Sequence, residues 1–336
     1  MPPRRACRRA RPAVRRPLLG TAVAAAVLVC GTAAAGTLYV TARAQEGGAT
    51  AVSSAASSSV SPSASASPAP GAGAVVEEAS VEPVAAPEAD HDALLAKALA
   101  DVPVEGGAAI SAAVLDVESG DAAVYGDGRF ETASIVKVDI LAALLLQAQD
   151  ADRGLTAREK AYAATMIRDS DNTAATALWK AIGEAGGLDA ANERFGLTET
   201  EGGDGLYWGL TRTTAADQLV LLRQVFGDDD ESELSGASRT YVRRLMGQIA
   251  AGQDWGVSAA AAADGSTDSS GVGFALKNGW LPRTATGLWV INSVGRVTVD
   301  GRDYLVAVVS HGNTTKAKGI ALVEAAARAG VSVFSS

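Results

Sequence analysis

Apolar and polar positions change rhythm several times along this chain, and each change predicts an element. Asp92-Ala93-Leu94-Leu95-Ala96-Lys97-Ala98-Leu99 spaces its leucines along one face of a helix. Ala109 to Val117 and Ala122 to Tyr125 read as strands joined by the turn Glu118-Ser119-Gly120-Asp121. Helical spacing dominates from Ser134 to Val225. Strand signals return at Val272 to Leu276, Gly287 to Val294 and Tyr304 to Ser310, and Asp300-Gly301 is a hairpin turn signal between the last two. Lys316 to Ala327 has the spacing of an amphipathic helix. Two strands, a helical block, three strands and a helix predict an α/β (α+β) fold: an antiparallel sheet flanked by helices, with an inserted helical subdomain.

The pattern before His91 is of another kind. Seven arginines precede an uncharged apolar stretch from Pro17 to Ala42, long enough for a bilayer-spanning helix. Arginines on that side agree with export of the chain beyond the apolar stretch. Residues 1–44 are therefore read as a basic leader with an apolar membrane anchor; the alternative is a signal peptide cut near Ala42-Arg43-Ala44. Residues 45–90 are Ser, Ala, Pro and Gly with a few acids, too poor in large apolar side chains to repay the entropy of ordering, and read as a disordered linker. Residues 91–336 form the predicted folded body. Its expected place is outside the cytoplasm, anchored to the cell membrane, or secreted if the leader is removed.

Composition narrows the chemistry. The chain carries a formal charge of -9 although residues 1–43 hold eight arginines and no acid, so the body is more acidic than the total implies. Such a body repels phosphate backbones, and no nucleic-acid partner is expected. Both cysteines, Cys7 and Cys30, lie in the leader, which leaves the body no disulfide and no thiol nucleophile. Only His91 and His311 are histidines, in no metal-binding spacing; no metal site and no cofactor is expected. A Ser-His-Asp triad would have to rest on His311 alone, at the end of the last strand.

Three short segments can carry chemistry together. Ser134-Ile135-Val136-Lys137 opens an apolar helical run, so Lys137 shares a face with the Ser134 hydroxyl. A serine needs a proton acceptor, and a desolvated lysine supplies one. Ser170-Asp171-Asn172 precedes a small-residue helix; Ser170 can relay a proton and Asn172 can hold an amide carbonyl, or the three simply cap the helix. Lys277-Asn278-Gly279 ends an apolar strand and precedes Trp280. There Gly279 permits close approach and Lys277 offers positive charge, or Asn-Gly is an ordinary hairpin turn.

At these residues the chain resembles the serine β-lactamase and penicillin-binding protein superfamily, closest to the class A arrangement. The S-x-x-K, S-D-N and K-T-G motifs of that family match Ser134–Lys137, Ser170–Asn172 and Lys277–Gly279 in the same order. The resemblance implies a β-lactamase/transpeptidase-like fold and a serine hydrolase that forms an acyl-enzyme on Ser134. It implies Lys137 as base, Ser170 as proton donor to the leaving nitrogen, and Lys277 as the cation beside them. Substrate would meet Asn172, Asn278 and Gly279, with the backbone N–H groups of Ser134 and Trp280 around the oxyanion. The implied partner is a small-molecule β-lactam or a cell-wall peptide amide.

Two departures bear on the reaction. Asn278 stands where the family has threonine, and no E-x-x-L-N pattern precedes Thr213-Thr214 to activate a deacylating water. Glu199 is nearest by position, though an exposed acidic loop is the simpler reading of its surroundings. β-Lactamase-like turnover, D,D-peptidase-like behaviour, a serine-lysine esterase and a catalytically idle binder of wall fragments or a protein partner all remain open at this level.

Overall fold

Where the sequence offers a capping side chain, a helix begins. The computed structural model describes residues 89–261 and 273–334. The expected leader and most of the expected linker, with Val272, lie outside them. Helix α1 (His91–Ala100) starts at Asp90, whose carboxylate accepts from the Ala93 N–H. Strands β1 (Ala109–Asp116), β2 (Ala122–Tyr125) and the short β3 (Phe130–Glu131) come next. A 3-10 turn, Ala133–Ile135, leads into α2 (Val136–Asp150). The helical block continues with α3 (Ala157–Arg168), α4 (Asn172–Ile182) and α5 (Glu184–Phe195). The short strand β4 (Arg212–Thr213), α6 (Ala215–Phe226) and α7 (Gly236–Met246) complete it. Thr156 and Glu159 close a reciprocal capping box on α3, and Asp171, Thr214 and Ser235 cap α4, α6 and α7. Strands β5 (Phe274–Arg283), β6 (Leu288–Val299) and β7 (Arg302–Asn313) then precede α8 (Lys316–Ser332).

The main sheet is antiparallel, in the order β2-β1-β7-β6-β5. The expected fold class is the one observed: an antiparallel sheet with helices on both faces and a helical insertion between β3 and β5. One face packs against the inserted helices, in a core that includes Ala113, Leu305, Ala307 and Val309 with Ile140, Leu144 and Leu222. The other packs on α1 and α8 through Val114, Val306, Val308, Leu95 and Val323. Burial on both faces explains why these strands read as continuous apolar runs with no alternation.

Two sequence expectations change. The strand expected to end at Leu276 runs on through Asn278, Gly279 and Pro282 to Arg283. Asn278-Gly279 is therefore no turn. Pro282 is tolerated because β5 is an edge strand, paired on one side to β6 alone. Helix α7 was not expected: three arginines among its eleven residues make it polar on average, although Val242, Leu245 and Met246 share a buried face. The Asp300-Gly301 turn is where expected, with both residues at positive φ, +50° and +78°. Among the described residues, no helix is long and apolar enough to cross a membrane.

Candidate active site

The turn that carries Ser134 is seated on the sheet by backbone approach and one buried amide. A Cβ on Gly279 would lie 2.7 Å from Thr132 O, 2.8 Å from Ser134 N and 2.9 Å from Ile135 N, so only glycine admits β5 this close. From the neighbouring strand, buried Asn292 donates to Glu131 O at 2.8 Å and Thr132 O at 3.0 Å, while its own oxygen accepts from Ser310 N at 2.9 Å. Ala133, just before Ser134, has φ +48°. A non-glycine residue there is strained by roughly 1–3 kcal/mol, and the packing around it holds the strain.

Lys137 comes within the first turn of α2 and is fully buried. Its Nζ donates to Ser170 O at 2.7 Å, Asn172 Oδ1 at 2.8 Å and Ser170 Oγ at 3.1 Å. Among the described residues no hydrogen bond joins it to the Ser134 hydroxyl. Burial lowers the Lys137 pKa to about 7, against a smaller opposing pull from Asp171. The Trp208 ring covers it, with Nζ 4.9 Å from the ring centroid, and Trp208 is itself held by Nε1 donating to Thr176 Oγ1 at 3.2 Å.

Lys277 reaches the same hydroxyl from the sheet. Its Nζ donates to Ser170 Oγ at 3.1 Å and to Asn278 O at 2.9 Å. Burial, then the charge of Lys137, pushes its pKa well below that of free lysine. Ser170 thus stands between two lysines, at φ +56°, a conformation few residues other than glycine adopt. The cap reading of this segment also holds in part, for Asp171 accepts from Ala174 N at 2.6 Å. Asn172 is the first residue of α4 and turns its oxygen to Lys137.

Of the expected site residues, Ser134, Lys137, Ser170, Asn172, Lys277 and Gly279 come together. Asn278 does not. It lies on the other face of β5, buried, with its amide donating to Gln253 O and Trp255 O at 2.8 Å each. Strand alternation places it away from the partners of Lys277, and the expectation that it meets substrate is corrected accordingly. Trp280 lines the cleft while its ring packs toward Trp255, 6.0 Å between centroids, and under Lys316, 4.2 Å from Nζ to centroid.

A cavity of about 500 Å³ opens beside Ser134. Its wall includes Asn172, Trp280 and three residues the sequence did not single out: Leu206, Tyr207 and Leu281. Among the described residues, no Asp or Glu lines it. Glu199 is exposed, and its backbone N–H is bound to Asp217 at 2.8 Å, so that segment delivers no carboxylate to Ser134. The residues that do arrive from this loop are aromatic and apolar. The pair Tyr207-Trp208, large side chains in an otherwise small and polar loop, is the signal that could have marked it.

A family model described as the beta-lactamase enzyme family matches residues 152–334, just over half of the chain. This chain belongs to the beta-lactamase enzyme family. The matched span holds Ser170–Asn172 and Lys277–Gly279 and starts after Lys137, so the Ser134 segment joins the family site through the fold. Among solved structures, PBP-A superimposes with a TM-score of 0.60 at 19% identity, over 72% of this chain and 96% of that one. A class A beta-lactamase from Bacteroides cellulosilyticus gives 0.61 at 15% identity, over 74% and 99%. The TLA-1 extended spectrum beta-lactamase gives 0.61 at 14%, over 73% and 98%. At these identities the likeness shows a shared fold. No curated protein matches the chain.

Proposed function

We propose that this chain is an exported serine hydrolase that forms an acyl-enzyme on Ser134 with β-lactam or cell-wall peptide amides. The observation that carries this reading is the Ser170 hydroxyl held 3.1 Å from both Lys137 Nζ and Lys277 Nζ, beside a cavity that contains Ser134. A neutral Lys137 accepts the Ser134 proton as Oγ attacks the carbonyl carbon. The ammonium that results has three N–H groups, and three acceptors already surround it: Ser170 O, Asn172 Oδ1 and Ser170 Oγ. Ser170 then passes its proton to the departing nitrogen as the C–N bond breaks, and regains one from Lys137. This reading assigns the developing oxyanion to the backbone N–H groups of Ser134 and Trp280. A variant of PBP-A, which shares the fold, is described as an acyl-enzyme complex with penicillin G.

Because no carboxylate lines the cavity among the described residues, the acyl-enzyme outlives its formation, as in a penicillin-binding or D,D-peptidase-like protein. The test is intact mass of the full-length chain incubated with benzylpenicillin. A lasting adduct that Ser134→Ala abolishes, with an unchanged circular dichroism spectrum, supports the reading. An adduct that survives that substitution removes Ser134 from the mechanism, and rapid clearance of the adduct makes the chain a β-lactamase that finds its water elsewhere. The missing loop carboxylate also favours a second reading, an idle relative that binds wall fragments; it predicts no adduct.

A further inference from the structure

Strand register sorts the two ends of the cleft. β5 pairs with β6 without a break from Phe274 to Arg283, so side chains two apart on it share a face. Lys277, Gly279, Leu281 and Arg283 are on the face where the Ser134 turn is seated. Lys277 donates to the Ser170 hydroxyl at 3.1 Å, and Ser170 is the group assigned to the leaving nitrogen. That end of β5 therefore takes the leaving part of a substrate. Beyond Gly279 the strand continues to Arg283, roughly 13 Å further at about 3.3 Å per residue. Trp280, Leu281 and Arg283 line the cavity along this stretch, which is left for the acyl part.

Arg283 is the one charged residue among those lining the cavity, and its side chain is 37% exposed. Its Nη2 pairs with Glu131 at 3.2 Å. Glu131 is on β3, just ahead of the Ser134 turn, and its own carbonyl is held by Asn292 at 2.8 Å. The ion pair thus tethers the guanidinium toward the turn before a ligand arrives, which lowers the ordering cost of recognising one. A guanidinium has five N–H donors in a planar fork, more than one carboxylate can fill, so a second carboxylate can join beside Glu131. The other cations of the site are committed: Lys137 donates to Ser170 and Asn172, and Lys277 to Ser170 and the Asn278 carbonyl. The cavity wall also includes Leu206, Tyr207 and Leu281, which can cover an apolar body.

We infer that Arg283 is a specificity-determining residue, selecting amides whose acyl part carries a carboxylate a few bonds from the carbonyl that Ser134 attacks. This rests on the acyl-enzyme reading above and narrows its substrate class. The bonds made and broken are unchanged: Ser134 Oγ bonds to the carbonyl carbon, and the nitrogen leaves with the Ser170 proton.

Benzylpenicillin and its derivative with a second carboxylate on the phenylacetyl α carbon isolate the charge. The two share the strained amide, the phenyl ring and the whole leaving part. Rates of adduct formation on the full-length chain are compared by intact mass at several concentrations, and the ratio of the carboxylated compound to the parent compound is read. Taking the ratio cancels any general loss in a variant and any difference in intrinsic reactivity. Arg283→Gln is expected to lower it at least threefold, the size of effect a partly exposed ion pair produces. Arg283→Glu, which reverses the charge, is expected to lower it further. A smaller fall in Arg283→Gln, or a ratio in Arg283→Glu no lower than in Arg283→Gln, overturns the inference and leaves the Ser134 mechanism standing. Absence of any adduct on the unsubstituted chain removes the acyl-enzyme reading and the inference with it.

Discussion

The floor and the far wall of the cleft are built by opposite means. On the floor, the Ser134 turn is pinned by the close approach of Gly279, by two hydrogen bonds from Asn292, and by two buried lysines on one hydroxyl. Each of these contacts is short in space and long in sequence. The far wall, residues 199–210, is tied at its base by carboxylates and at its tip by Trp179 Nε1 donating to Gly205 O at 2.7 Å. Asp217 accepts from Glu199 N at 2.8 Å and Thr200 Oγ1 at 2.7 Å, and Asp189 accepts from Gly202 N at 2.8 Å. Beyond that base the wall turns exposed Leu206 and Tyr207 to the cavity. In the proposed reading, the floor determines which bond can break and the wall determines which molecule brings that bond. A family can hold the first constant and vary the second.

Substitutions on the floor are expected to have the largest effects. Ser134→Ala lowers acylation by roughly 10³-fold or more with the melting temperature almost unchanged, read by adduct mass and calorimetry. Next comes Gly279→Ala, whose methyl would meet three backbone atoms at 2.7–2.9 Å. It should cut acylation by roughly 10²-fold by displacing the nucleophile, and lower stability too. An unaltered rate would mean the turn is not positioned by β5.

Proton affinity is a milder probe of the same floor. Lys137 must be neutral to act, and its pKa lies at about 7, below its ordinary 10.5. The acylation rate should therefore rise roughly tenfold per pH unit below that value and level off above it. Stability moves in the same direction: the folded chain binds fewer protons here than the unfolded chain, so this group's cost to folding is full below about pH 7 and fades toward pH 10.5. A pH-independent rate between pH 5.5 and about 8.5 would rule out Lys137 as the base.

The base of the wall gives a smaller and opposite signal. Asp139, fully buried in α2, has its pKa raised well above the ordinary carboxylate value by burial, then by Asp189 and Asp217. A raised acid contributes stability that is present below its unfolded value of 3.8 and is lost as pH rises through its folded value. Asp139→Asn keeps the shape without the charge. It should melt several degrees higher than the parent at pH 8 and about equally at pH 4, roughly the effect of 1–2 kcal/mol in a domain this size. Equal melting at both pH values would show that Asp139 carries no such cost. The smallest change is expected at the tip, where Tyr207→Ala should leave stability within about 0.5 kcal/mol. Its effect should be confined to the preference for apolar acyl groups, read as a change in KM with little change in kcat.

The same division separates the legible from the hidden in the sequence. Ser134, Lys137, Ser170, Lys277 and Gly279 announce themselves because each needs one residue type at one spacing, and because apolar runs reveal the strands and helices that hold them. Asn278 misled for a physical reason. Its neighbours in the motif meet Ser170 and the Ser134 turn, but alternation turns its own side chain to Gln253 and Trp255, partners that no local pattern reveals. Pro282 concealed the length of β5, since a proline forbidden in a central strand is harmless on an edge. Trp208 over Lys137 and Asn292 behind the Ser134 turn were likewise invisible: an aromatic in a loop and an amide in a strand gain their roles only once the chain has closed.

That closure has a consequence in time. β1 lies between β2, its hairpin partner, and β7, the last strand of the sheet, so the centre of the sheet forms between early and late chain. Synthesis proceeds at roughly 5–20 residues per second, so Ser134 emerges many seconds before Gly279 and Asn292 exist to seat it. Contacts of such long separation also form slowly after release. A chain halted between Lys277 and Asn292 would contain Ser134, both lysines and the serine between them, and still have no finished place to put them.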